Sequence, residues 1–362
     1  MLKWLLRHRF LLLLTGAALL LKLFSLHKTW VESSYTYGAY PIISKILRLL
    51  AGWLPFSLGD VLYFIAGLGI IRFIWRSVKA FRFYGFNKSI GSILYKIACT
   101  FLIVYLFFNV LWGLNYDRQG IAHQLHLNVR PYTLSDVVQL TKTVQARLNI
   151  VAAQVDTVTR SELNTNSKLF QKAISVYDTA TISFPYLQYK TPSIKASLYS
   201  SVGQYFGFTG YYNPFSGEAQ LKTSIPVFLK PFVTAHEMAH QLGYAKENEA
   251  NFVAFLSSKQ SHDPQFLYSL YYELYAYAVR EVYSRDTTLA IGFKKSLHPQ
   301  VLRDNEILIA YFIRTKNPIE PIISRFYDQY LKWNNQKNGV ETYNEVVALL
   351  IAYGKKFGWQ AI

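Results

Sequence analysis

The sequence predicts a mainly α (α+β) protein, in which N-terminal transmembrane helices precede a mostly helical domain with one small sheet. Three observations predict it. Apolar runs crowd the first third of the 362-residue chain. Charge segregates with them: 13 Lys and Arg against two acids, Glu32 and Asp60, precede Asn115, whereas 25 basic and 19 acidic residues follow. Stretches after Asn115 then repeat apolar residues at helical spacing, interrupted by one segment punctuated with Gly, Asn and Pro.

The membrane region is expected over residues 1–114. Its three runs, 10–26, 55–71 and 97–114, match the roughly 30 Å of a hydrocarbon core at about 1.5 Å per helical residue. Lys22 interrupts the first run but lies near its end, where a long side chain can snorkel. Lys3, Arg7 and Arg9 precede that run as in a signal peptide, yet no small-x-small cleavage site follows, so a retained anchor is expected. Arg72, Arg76, Lys79, Arg82, Lys88 and Lys96 fall between the second and third runs. The positive-inside rule then sets the N-terminus in the cytoplasm and everything after Leu114 outside, which is the periplasm of a bacterium with two membranes. The expected location is the inner (cytoplasmic) membrane, with the lipid bilayer as a partner. An amphipathic helix is expected over 41–53, with Ile42, Ile43, Ile46, Leu47 and Leu50 on one face. That face suits either the membrane interface or packing against the later domain.

Residues 115–362 are long enough for one core. Thr133 and Asp136 open a helix in the manner of a capping box, with Val137, Leu140, Val144, Leu148 and Val151 behind them. A second helix is expected over 167–177 and short strands over 195–200 and 218–224. Four helices are expected near the end, at 263–286, 298–316, 319–337 and 340–354, the last closed by Gly354.

Between the strands and those helices stands TAHEMAHQLGYAKENEANF, Thr234 to Phe252. His236 and His240, four apart, share one helical face and can grip one ion. Glu237 projects beside that line, where it reaches a water on the metal rather than the metal itself. The helix around them is uncharged, and burying two imidazoles and a carboxylate without a partner is costly. A third ligand is needed. Lys246 occupies the position where one zincin class has a histidine, so a carboxylate is expected. Glu249 shares its face with Phe252, Val253 and Leu256, where a buried carboxylate needs a counter-ion; Glu247 lies on a more polar side, and His262 is a more distant alternative.

These residues resemble the gluzincin zinc metallopeptidases, in which HExxH and a glutamate of a following helix hold the metal. More closely, the chain is similar to an uncharacterised family of bacterial membrane proteins, catalogued as domain of unknown function 3810. The likeness spans essentially the whole chain through GYYNPFSGEAQ, PFVTAHEMAHQLGYA, EANF and YNEVVALLIAYGKK, and is most specific from Gly210 to Phe255. It implies a zincin-like domain, one Zn(2+) per chain on His236, His240 and Glu249, and Glu237 as the base. The short gap from His240 to Glu249 departs from better-known gluzincins. By the same resemblance Glu218–Thr223 is expected to form a sheet edge that pairs with an extended substrate.

Tyr211, Tyr212 and Glu218 are therefore expected to bind substrate, and Asn251 to support a ligand from behind. Tyr271, Tyr272, Tyr275 and Arg280 are candidates for stabilising an oxyanion. The function expected is that of a membrane-anchored zinc metallopeptidase cutting a peptide or protein substrate with a zinc-activated water. The alternatives are a zinc amidase acting on a cell-wall substrate and a non-catalytic scaffold with a structural metal. The basic charge lies on the flanks of apolar runs, so no nucleic-acid surface is expected. The lone cysteine, Cys99, excludes both an intramolecular disulfide and a zinc site built on several thiolates.

Overall fold

A computed structural model describes residues 2–334 and 343–362. It is mostly helical, with a single small sheet and three helices long and apolar enough to cross a membrane. These are α1 (Leu2–Ser25), α3 (Leu58–Tyr84) and α4 (Phe86–Leu111), with α2 (Tyr40–Gly52) lying between the first two. Leu13, Leu20, Ile71 and Phe101 are among the many apolar side chains left exposed on the spans, as a lipid-facing surface requires.

The second and third spans differ from the expected 55–71 and 97–114. Arg72, Arg76 and Lys79 end the apolar run, but they recur every three or four residues and fall on one side of a helix that continues to Tyr84. Only Gly85 separates it from α4, so the basic residues between the two apolar runs sit within the two helices. At about 1.5 Å per residue, 27 residues reach roughly 40 Å, beyond the hydrocarbon layer. The start of α3 is firmly capped. The Asp60 backbone N–H donates to Ser57 Oγ (2.9 Å), and the Glu218 carboxylate accepts from the backbone N–H groups of Leu58 (3.1 Å) and Gly59 (2.5 Å).

The rest of the chain packs helices around one large core. α5 (Leu134–Ala152) buries Val137, Leu140, Val144 and Leu148, and its capping box forms as the sequence predicts. α6 (Asn166–Ser183) follows, then the strands β1 (Ile194–Ala196), β2 (Gly210–Asn213) and β3 (Glu218–Leu221). The order is β1-β3-β2, with β1 parallel and β2 antiparallel to β3. Glu218–Leu221 is therefore the central strand, not the expected edge; the edge beside the next helix belongs to β2.

Next come α7 (Lys230–Gln241), α8 (Glu247–Ser258), α9 (Pro264–Tyr283), α10 (Pro299–Thr315), α11 (Glu320–Trp333) and α12 (Tyr343–Phe357). The last helix runs past Gly354, whose missing side chain makes room for the ring of Trp359. Positions 335–342, at the junction of the expected helices 319–337 and 340–354, lie outside the described residues.

A second, smaller core joins the spans to this body. Val31, Tyr35, Tyr40, Trp112, Leu114 and Tyr116 from the membrane side close around Tyr212 and Ala245. Beside it, buried Arg118 pairs with Glu32 at 3.2 Å and donates to the carbonyl of Gly243 at 3.1 Å. The expected boundary at residues 114 and 115 thus falls within a shared interface.

Candidate metal centre

α7 presents the two histidines as their spacing predicts, with Nε2 of His236 and Nε2 of His240 3.1 Å apart. The chain then turns at Gly243, which has φ +86°; a side chain there would strike Tyr40 and Asn115 within about 3 Å, so only glycine fits. This turn brings the first residue of α8, Glu247, back to the histidines. Its Oε2 lies 3.2 Å from His236 Nε2 and its Oε1 3.7 Å from His240 Nε2. Among the described residues this is the group of His, Cys, Asp and Glu whose ligand atoms converge, all within 4.8 Å of one another.

These spacings fit zinc. Ligands at about 2.0–2.1 Å in a tetrahedron stand about 3.3 Å apart, close to the separations here. Second contacts are in place as well. His240 Nδ1–H donates to the Tyr244 carbonyl at 2.7 Å, which fixes the tautomer and leaves Nε2 as the free lone pair. The Tyr327 hydroxyl donates to Glu247 Oε1 at 2.8 Å.

Glu249 does not join the cluster. It is buried, as its apolar stripe predicts, but it points to Lys246 (3.4 Å) and lies within the field of Arg118. The third member of the converging group is Glu247. The difference has a physical origin: a buried carboxylate needs a counter-ion, and Lys246 and Arg118 supply the positive charge.

Electrostatics follow from burial and from that cluster. Burial raises the Glu237 carboxyl to about 8, with Glu247 adding to the rise. Burial alone would depress His236, but the hydrogen bond and charge of Glu247 raise it. Burial depresses His240 to about 4. Burial would lift Glu247, yet the two imidazoles hold it low. Asn251, expected behind a ligand, does lie beside His236, and its Oδ1 accepts from the Tyr277 hydroxyl at 3.4 Å. Glu273 of α9 also feels His236 and is raised by burial to about 7. Sequence reasoning missed it, because nothing in its own helix marks it as facing α7.

The residues expected to bind substrate sit elsewhere. Glu218 is fully buried as the cap of α3, where Ser216 Oγ also donates to it at 2.8 Å. The Tyr211 hydroxyl donates to Asp60 and its ring stacks on Tyr63. Tyr212 packs on Trp112 with ring centres 5.0 Å apart. What does approach Glu237 is the β2 backbone: a Cβ on Gly210 would come within 2.7 Å of Glu237 Oε1. Tyr271, Tyr272 and Tyr275 are buried in the core, with Tyr272 donating to Asn305, and Arg280 is exposed. The hydroxyl seen on a site carboxylate is that of Tyr327 instead.

The far end of α7 is held by the membrane region. The Tyr40 hydroxyl and Ser44 Oγ donate to the Gln241 carbonyl at 2.8 and 3.1 Å, and Trp112 Nε1–H donates to the His240 carbonyl at 3.1 Å. These bonds satisfy carbonyls that a helix end otherwise leaves open.

One family model, described as Protein of unknown function (DUF3810), matches residues 35–351. No curated protein and no solved structure matches the chain.

Proposed function

The chain belongs to that family of unknown function, and we propose that it is a membrane-anchored, zinc-dependent metallopeptidase. The observation that carries this reading is the convergence of His236, His240 and Glu247 beside the buried carboxylate of Glu237. Zinc held by these three would supply a Lewis acid that makes a water acidic and polarises a carbonyl. Three protein ligands leave room for such chemistry, whereas structural zinc sites are commonly closed by four.

The chain's own residues would do the rest. Tyr244 and Tyr327 orient the ligands through His240 Nδ1 and Glu247 Oε1. Glu237, buried beside the cluster, accepts in its carboxylate form the proton of the attacking water as the C–O bond forms. It then passes that proton to the leaving nitrogen as the C–N bond breaks. In this reading the spans lie in the inner membrane with the N-terminus in the cytoplasm and the metal centre on the periplasmic side. The basic residues along the last turns of α3 and Lys88 in the first turn of α4 support that direction.

The test is metal quantitation and turnover on the purified full chain, with Glu237→Gln beside wild type. Zinc near one per chain in both, with peptide hydrolysis falling by about 10²-fold or more in the variant, is expected. Undiminished hydrolysis by the variant overturns the reading.

A further inference from the structure

α2 is amphipathic in an unusual sense. It buries Tyr40, Ser44, Arg48 and Ala51 against the body of the protein, while Ile42, Ile46, Leu50 and Trp53 are exposed, Trp53 by 76%. Its polar side is bonded: Tyr40 and Ser44 to Gln241, and Lys195 Nζ to the carbonyl of Gly52 at 2.8 Å. A contiguous apolar strip of this kind is unfavourable in water and marks a surface that something covers.

The chain's own course says what covers it. α1 ends at Ser25 before α2, and α3 begins at Leu58 shortly after Gly52, and both are long enough and apolar enough to span a bilayer. Both ends of α2 are thus tied to the same membrane face. Exposed Lys45 stands at the flank of the strip and Trp53 at its end, the places where a cation snorkels and an indole sits at headgroup level. A second apolar patch lies at that level: Leu198 and Val202 are exposed, and the Leu198 N–H donates to Asp60 in the first turn of α3.

The metal helix is fastened to the same layer. Tyr40 and Ser44 hold the residue after His240, and Trp112, the first residue beyond α4, holds His240 itself. A helix with its side chains is about 10 Å across. We propose that α2 lies in the headgroup layer of the bilayer, holding the metal centre about one helix diameter above the lipid, so that it acts on the stretch of a membrane-anchored polypeptide just emerging from the membrane. The placement of α2 stands on geometry alone; the substrate class rests on the hydrolase reading above.

The experiment uses the full chain in nanodiscs of phosphatidylethanolamine and phosphatidylglycerol. Spin labels are placed on Ile46→Cys and Leu50→Cys, and on Ile150→Cys of α5 as an exposed control, all with Cys99→Ser. Labels at 46 and 50 accessible to oxygen and shielded from a water-soluble nickel chelate, with the reverse at 150, are expected. Labels at 46 and 50 as open to the chelate as that at 150 overturn the placement, as do labels shielded from both reagents, which would mean that protein covers the strip. One peptide sequence is then offered in the same discs behind a transmembrane anchor, with a spacer of about ten or about forty residues. Glu237-dependent cleavage at least about tenfold faster for the short spacer supports the substrate class. Equal cleavage overturns it and leaves the hydrolase reading intact, whereas cleavage of neither peptide counts against the hydrolase reading and the substrate class together.

Discussion

Glu247 Oε2 stands 3.2 Å from Nε2 of His236, while Glu249, two residues along the same helix, turns away to Lys246. Replacing each in turn separates their roles. Glu247→Ala should lower bound zinc well below one per chain, since it removes one of three donors. Glu249→Gln should keep the metal and lower thermal stability, because it leaves buried Arg118 short of negative charge. Metal analysis and unfolding in detergent read the two effects; zinc loss confined to Glu249→Gln would reverse the assignment.

Metal uptake should weaken as pH falls. In the metal-free site His236 is raised to about 9, the bond to Glu247 overcoming the effect of burial, so an incoming ion must displace a proton at neutral pH. Affinity then falls about tenfold for each unit below pH 9 and levels off above it. His240, depressed to about 4 by burial, adds no further competition until the pH nears 4. Competition with a chromophoric chelator from pH 6 to 10 measures the slope, and a flat profile contradicts it.

Gly210→Ala should damage turnover and spare the metal. The added methyl meets Glu237 Oε1 at 2.7 Å and the Gln220 carbonyl at 2.9 Å, and of these the side chain gives way more easily than the strand. A fall in kcat of about tenfold or more with zinc content unchanged is expected. Loss of zinc in parallel would mean that the strand moves instead.

Tyr327→Phe removes the donor on Glu247 Oε1. Zinc affinity should fall by about 10- to 100-fold, as for other partners behind a metal ligand. A chelator titration at fixed pH reads this directly, and an unchanged constant would leave Tyr327 without a role in holding the ion.

Short-range chemistry was readable in the chain, and long-range geometry was not. The His236–His240 pair follows from helical spacing, and the α5 capping box from Thr133 and Asp136 alone. The apolar stripe around Glu249 marks it as buried, but its cations are supplied by Lys246 and by Arg118 from another element. Glu218 looked like an edge position because strand order depends on β1, twenty-odd residues upstream, pairing parallel to β3. The helices α3 and α4 differ in extent from the apolar runs because an amphipathic helix can outlast its apolar run. Glu273 and Tyr327 reach the site from α9 and α11, and no local pattern in either helix announces it.

The stitching between the spans and α7 also bears on how the protein can be handled. A soluble fragment starting at Asn115 would lack Tyr40, Ser44 and Trp112, the donors that close the His240 and Gln241 carbonyls. It would also lack Glu32, the counter-charge of Arg118, and the helix start that Glu218 caps. Such a truncation strips the final turn of the helix carrying His236 and His240 of its fastenings, so the protein is best produced and assayed as a single piece in detergent or lipid.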